Sequence, residues 1–357
     1  MPPPGNRPIV FARYLAFAWC ALIVYGSLHP FVGWRSTGIG VWTFIGAGWP
    51  RYWTAFDLLA NVAVYLPLGF FLCLGLRNLR GRATALVLAT VFGALLSLAM
   101  ESAQNYLPSR VPSNLDLSCN ALGALIGAVF GQLVAPRSLG RLEQAAQRLL
   151  SPLPHSELGL TLLGLWMMVP LSPEILLFGA GDLRQLLDVT PPLPFAVEHF
   201  SVIEAGVTAC HALAVGLLLR CLLARWWQAY LLVPLFLLLG LLVRTLAAAV
   251  LVSPGDAWQW LTPGAQLGLQ SSALALLLTL WLPLRAAAVL ALLALLAGTA
   301  VVNLAPFNPY SQAALAAWQQ GHFLNFNGLT RLVASLWPLL ALPFLALWPV
   351  RGIGRST

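Results

Sequence analysis

A chain of 357 residues that is 59% hydrophobic and 8% charged cannot cover the surface of a water-soluble protein, because soluble domains are roughly 25% charged. The net charge of +8 comes from Arg alone, for the chain contains no Lys. These arginines flank long apolar runs, which indicates membrane topology rather than binding to nucleic acid. The five cysteines (Cys20, Cys73, Cys119, Cys210 and Cys221) lack C-x-x-C or Cys/His metal spacing, so no metal site is expected from them.

Apolar stretches near the length of about 20 residues that a bilayer requires predict an all-α polytopic bundle. Ten spans are expected, approximately at 9–28, 54–76, 83–103, 116–135, 157–178, 199–222, 228–251, 263–284, 285–304 and 328–349. The first run has no small-residue cleavage site and is read as a permanent helix. With the N-terminus inside, thirteen arginines fall on the cytoplasmic side. The outer loops then hold Arg35, Arg51, Arg110 and Arg184, while Arg244 and Arg331 lie within spans. This positive-inside bias predicts cytoplasmic termini. Between spans four and five, "SLGRLEQAAQRLL" (138–150) gathers Leu139, Leu142 and Leu149 near one helical face. It reads equally as an interfacial amphipathic helix or as a solvated connector.

Loop lengths repeat along the chain, and "SLHPFVGW" (27–34) is echoed by "NLAPFNPY" (303–310). The openings "FDLLANVAVYLPL" (56–68) and "FNGLTRLVASLWP" (326–338) are echoed in the same way. The expected organisation is a four-helix unit (1–136), a cytoplasmic connector (137–156), a diverged second four-helix unit (157–284) and a terminal helix pair (285–357).

Polar residues gather at one depth. Asp57 and Asn61 open the second span, Glu101 and Gln104 close the third, and Asp116 and Asn120 open the fourth. Each pair is three or four residues apart and so shares a helical face. Acids within spans are costly and normally face a bundle interior, one another or a substrate. Arg110, between Pro108 and Pro112, is the nearest certain cation, so either one acid is protonated or a cationic or hydrogen-bonding ligand completes the set. Each residue also has a structural reading. Asp57 and Asp116 could cap their helices, and Asn61, Gln104 and Asn120 could be interhelical hydrogen-bond partners. Glu101, near a helix C-terminus that disfavours an anion, is the hardest to explain structurally. Gly123, Gly127 and Gly131 form a small-residue stripe suited to close helix packing.

"FDLLANVAVYLPLGFFL" followed by "ESAQNYLPSRVPSNLDLSCNALGALIG" resembles the VanZ-like family. The resemblance is carried by Asn61, Pro67-Leu68-Gly69, Glu101, Gln104, Arg110, Asp116, Asn120 and Gly123, and it covers roughly residues 20–135. It implies a multi-pass protein of the bacterial cytoplasmic membrane, linked through the founding member to teicoplanin resistance, with no cofactor.

Further along, a Glu204–Arg244 ion pair between adjacent helices is expected, and a metal site from His199, Glu204 and His211 is disfavoured by their helical angles. His29 and His322 fall in corresponding outer loops. Three functions compete. The first is a non-enzymatic envelope protein whose outer polar site binds a membrane lipid headgroup, a lipid-linked cell-wall precursor or a glycopeptide. The second is a membrane enzyme using Glu101 or Asp116 as general base or metal ligand. The third is a transporter, which would need a polar path where spans two to four turn apolar.

Overall fold

The sequence expects helices separated by Pro- and Gly-marked turns, and the computed structural model of the protein has that form. It describes residues 7–29, 31–50, 52–134, 136–151, 155–172, 174–187, 189–191, 195–251, 254–306 and 324–347. His322 and the proposed echo at 307–310 lie outside the described residues, as do Arg51, Arg351 and Arg355. No strand occurs among the described residues.

The helices are α1 (Arg7–Leu28), α2 (Ala55–Arg80), α3 (Arg82–Gln104), α4 (Asn114–Leu133), α5 (Pro136–Leu149), α6 (Ser156–Trp166), α7 (Arg184–Leu187), α8 (Val197–Leu222), α9 (Trp226–Leu251), α10 (Pro263–Thr279), α11 (Leu284–Leu304) and α12 (Leu324–Leu347). Among them α1 to α4, α8, α9, α11 and α12 are the eight long and apolar enough to cross a membrane. The protein is therefore an all-α, multi-pass membrane protein.

Two of the ten expected spans are shorter than the sequence suggests. The stretch at 157–178 is helical only to Trp166, followed by a 3₁₀ turn at Val169–Leu171. Pro170 lacks the N–H that would bond the Trp166 carbonyl, so the α-ladder cannot continue. At 1.5 Å per residue the 11-residue α6 is about 16 Å long, roughly half a hydrocarbon core. The stretch at 263–284 stops at Thr279, because Pro283 serves as N-cap of α11 and pushes its preceding residue out of the helical region.

The chain divides into two compact units, residues 1–145 and 146–357, with the division inside α5. In the first unit, α2 packs along α4, and α3 and α1 pack beside them. The buried positions of α3 are Ala85, Ala89, Gly93, Ser97 and Glu101, an i, i+4 row that is small as far as Ser97 and polar in its last two members. The facing side of α4 buries Gly123, Ala124, Gly127 and Ala128. A Cβ on Gly127 would lie 1.9 Å from the Leu66 carbonyl oxygen, and one on Gly123 would lie 2.3 Å from that of Val62. Backbone therefore meets backbone, which is how small residues hold membrane helices together where lipid removes the hydrophobic drive. Large apolar side chains such as Leu59, Leu95, Phe130 and Leu133 point outward and are exposed, as lipid-facing residues are.

In the second unit α8 is the central helix, with α10 and α11 packed along it and the core built on Trp166, Phe178, Leu217, Leu218, Leu222 and Trp337. The backbone from Leu177 to Gly181 is buried but not helical. Irregular backbone at membrane depth requires partners within the protein, and it has them. Thr208 donates to Leu177 O, Asn303 to Gly181 O, and Gly181 N–H to Ala334 O. Fully buried His211 bonds Ala180 through Nε2 while its Nδ1 meets Val207 O at 2.9 Å.

Replacing Gly127 with Ala should overpack the α2–α4 contact, costing about 1–3 kcal/mol or preventing folding. Gly26→Ala, where a Cβ would meet nothing within 4 Å, should be neutral. Thermal stability of both variants in detergent checks this, with equal melting temperatures as the outcome that contradicts it.

Candidate functional site

Connectivity brings four helix ends to one end of the first unit: the C-termini of α1 and α3 and the N-termini of α2 and α4. The polar residues singled out from sequence lie on the i, i+4 faces that, deeper down, carry the glycine contacts. On α2 the row runs Asp57, Asn61, Tyr65, Gly69, and on α4 it runs Asp116, Asn120, Ala124.

Local chemistry fixes each end. Asp57 is the third residue of α2 and closes a capping box: its carboxylate accepts from the N–H and the hydroxyl of Thr54, and its own N–H donates to Thr54 Oγ1. The cap reading of Asp57 thus has a structural basis, worth about 1 kcal/mol. Asp116 is not the cap of α4. That role belongs to Ser113, which accepts from the Asp116 N–H, and the helix begins at Asn114, two residues earlier than expected. The Asp116 side chain is left facing Asn61 of α2, within reach of the charge of Asp57.

Glu101 is buried, with 4% of its surface exposed. Its Oε2 accepts from the Ser113 N–H at 2.8 Å, so the carboxylate satisfies one of the free N–H groups at the start of α4 and sits against the positive end of that helix dipole. The charges of Asp116 and Arg110 both act on it. The C-terminal position that made Glu101 anomalous within α3 is thereby resolved by a different helix.

One turn deeper, Asn120 Nδ2 donates to Ser97 Oγ at 2.9 Å, and the buried Asn120 Oδ1 has no hydrogen-bond partner among the described residues. The Tyr65 hydroxyl lies close to Ser97 but outside hydrogen-bonding geometry. Sequence reasoning passed over Ser97, Ser113 and Tyr65. Ser97 is four residues before Glu101 and Tyr65 four after Asn61, so the helical period could have found them. Ser113 follows the cap rule applied one step earlier.

Arg110 and Gln104 both turn to the end of α1. Arg110 donates to the carbonyls of Gly26 at 3.3 Å and His29 at 3.1 Å, and Gln104 donates to that of Ser27 at 2.9 Å. Together they satisfy carbonyls at the C-terminus of α1 that no intrahelical N–H reaches. Burial pulls the Arg110 guanidinium below its usual pKa, and the charge of Glu101 opposes that shift. The loop after α1 is stapled over the same end: Arg35 N–H donates to Tyr106 O, Asn105 to Ile39 O and Asn114 to Ala47 O. Its Trp34, Trp42, Trp49 and Tyr52 remain exposed, as interface-seeking aromatics do.

Asp57, Asn61, Glu101, Arg110 and Asp116 therefore act on one another, Asn120 continues the cluster downward with Ser97, and Gln104 turns aside to α1. Among the described residues no group of three His, Cys, Asp or Glu side chains is arranged to hold a metal ion.

Residues 12–135 match the VanZ/LLP1 family model. The match spans most of α1 and all of α2, α3 and α4, so it coincides with the helices that build this cluster. No curated protein and no solved structure matches the chain. The VanZ-like segment is thus a four-helix membrane unit, sealed by small residues at one end and polar at the other.

Because Arg110 closes the end of α1, Arg110→Ala should remove a donor from the carbonyls of Gly26 and His29. Charge-assisted hydrogen bonds are worth about 1.5–3 kcal/mol, so amide exchange over residues 25–31 should rise at least roughly tenfold. Exchange in the α2–α4 contact should not change. Exchange that is uniform with wild type across residues 25–31 would contradict the role.

Proposed function

We propose that this VanZ-like membrane protein belongs to the bacterial cytoplasmic membrane and uses the polar end of its first unit, on the outer side, as a binding site. The ligand is an amine- or hydroxyl-bearing group: a lipid headgroup, a lipid-linked cell-wall precursor or a glycopeptide-type antibiotic. The observation that carries this reading is the donor deficit of the cluster. Glu101 and Asp116 act on each other across α3 and α4, while the nearby cation, Arg110, donates to α1 carbonyls. Below them Asn120 Oδ1 is buried with no partner among the described residues. Buried acceptors without donors are costly, and a ligand that brings N–H or O–H groups relieves that cost.

The site supports binding better than the competing functions. The hydroxyl beside Asp57, that of Thr54, is held in the capping box of α2, and Glu101 is engaged by a backbone N–H rather than by a proton-transfer partner. Directly beneath, Gly123 and Gly127 close α4 onto the α2 backbone, which leaves no room there for the polar path a transporter needs. The exposed Trp residues around the cluster favour a ligand that arrives from the membrane interface.

Glu101→Gln keeps an acceptor for the Ser113 N–H but removes the charge. Lipids co-purifying with the folded variant, compared with wild type by mass spectrometry, should lose an amine- or hydroxyl-rich species by about tenfold or more. Susceptibility of cells to a glycopeptide should shift in parallel if the antibiotic itself is the ligand. Identical lipid profiles from wild type and from a monodisperse Glu101→Gln variant would defeat the proposal.

A further inference from the structure

The second unit contains a carboxylate that nothing in the sequence pattern singles out. Glu174 follows the 3₁₀ turn, its side chain is 5% exposed, and neither of its oxygens has a hydrogen-bond partner among the described residues. Arg331 of α12 stands opposite, with Nε 3.7 Å from Glu174 Oε1, beyond hydrogen-bonding reach, and its side chain is 29% exposed. The turn that carries Glu174 is clamped on both sides. Buried Arg244 of α9 donates to the carbonyls of Ser172 and Ile175, and Ser172 Oγ donates to Thr330 Oγ1 at 2.7 Å. Arg244 was expected to pair with Glu204. The carboxylates whose charges act on it are first Glu174 and then Glu204.

The cluster is thus two acids, Glu174 and Glu204, against two guanidiniums, Arg244 and Arg331. It is electrically balanced, yet Glu174 is short of donors and Arg331 is held only loosely. A buried ion pair in that geometry contributes little to stability, because the desolvation is not returned as good hydrogen bonds. A free cation or a free anion added here would unbalance the charge. A group that carries an N–H-bearing cation and an anion a short spacer apart would not.

We propose that Glu174 and Arg331 form a second binding site, selective for a zwitterion, with a primary ammonium donating to Glu174 and a phosphate or carboxylate taken by Arg331. The flexible stem of Arg331 lets its planar fork swing outward to the anion while Glu174 stays fixed by the clamped turn. An ethanolamine-phosphate lipid headgroup has this chemistry, and so does a free soluble zwitterion. The site lies wholly in the second unit and does not depend on the reading given for the first.

The test uses the full chain in nanodiscs of phosphatidylethanolamine, phosphatidylcholine and phosphatidylglycerol with matched acyl chains, followed by native mass spectrometry. Phosphatidylethanolamine should be retained over the other two by about tenfold, since choline has no N–H for Glu174 and phosphatidylglycerol has no cation. Glu174→Gln should abolish the preference, and so should Arg331→Gln, whose part-exposed side chain makes it the safer variant for folding. Glu101→Gln should leave the preference intact, which separates this site from the one in the first unit. Soluble glycerophosphoethanolamine that displaces the lipid shows that the headgroup alone suffices, and failure to displace it assigns the ligand to the membrane. Equal retention of the ethanolamine and choline lipids, or a preference that survives Arg331→Gln, would overturn the proposal.

Discussion

At Gly127 a hypothetical Cβ would lie 1.9 Å from the Leu66 carbonyl oxygen, and at Gly69 a Cβ would lie 2.0 Å from that of Ala124. The backbones of α2 and α4 can approach so closely only because neither carries a side chain at those points. In lipid, where burying apolar surface brings no gain over exposing it to acyl chains, such contacts are a main source of helix association. The rest of the first unit depends on them. They fix the axial register of α2 against α4, and with it the height at which Asp57, Asn61, Asp116 and Asn120 face one another.

Towards the polar end the packing logic changes from dispersion to hydrogen bonding. Each helix terminus there leaves backbone groups unsatisfied, and the polar side chains answer them: Thr54 and Asp57 for α2, Ser113 and Glu101 for α4, Arg110 and Gln104 for α1. Most of this chemistry is structural. What remains after the caps are counted is an excess of acceptors over donors, concentrated at Asp116 and Asn120, and the functional reading rests on that remainder. The same residues therefore serve as caps and as site, and the aromatic loop stapled above them sets the level of the interface.

The second unit meets a similar constraint by other means. Pro170 ends α6 halfway through an apolar run, so the chain must cross buried territory without a helix to satisfy its backbone. Side chains from α8, α9 and α11 supply the missing partners through Thr208, His211, Arg244 and Asn303. Arg244, a membrane-buried cation that looks like half of an ion pair in the sequence, is spent largely on carbonyls. This explains why Glu174, next to those carbonyls, is left with an incomplete set of partners.

Composition and apolar run length were sufficient to establish a helical membrane protein, because a bilayer admits few other solutions. The spacing of Asp57–Asn61, Glu101–Gln104 and Asp116–Asn120 was sufficient to put those residues at one end of one unit, since helical period and alternating direction leave no freedom there. The tertiary structure decided what each polar group touches. The hydrogen bonds of Glu101 go to the N-terminus of α4 and those of Arg110 to the end of α1, because a free carbonyl or N–H belongs to a helix end and leaves no mark in the side-chain pattern. The tertiary structure also decided where α6 stops and what fills the gap after it. Pro170 announces a break locally, but the partners of the broken backbone come from residues 30 to more than 120 positions away, and no local periodicity encodes a contact at that separation.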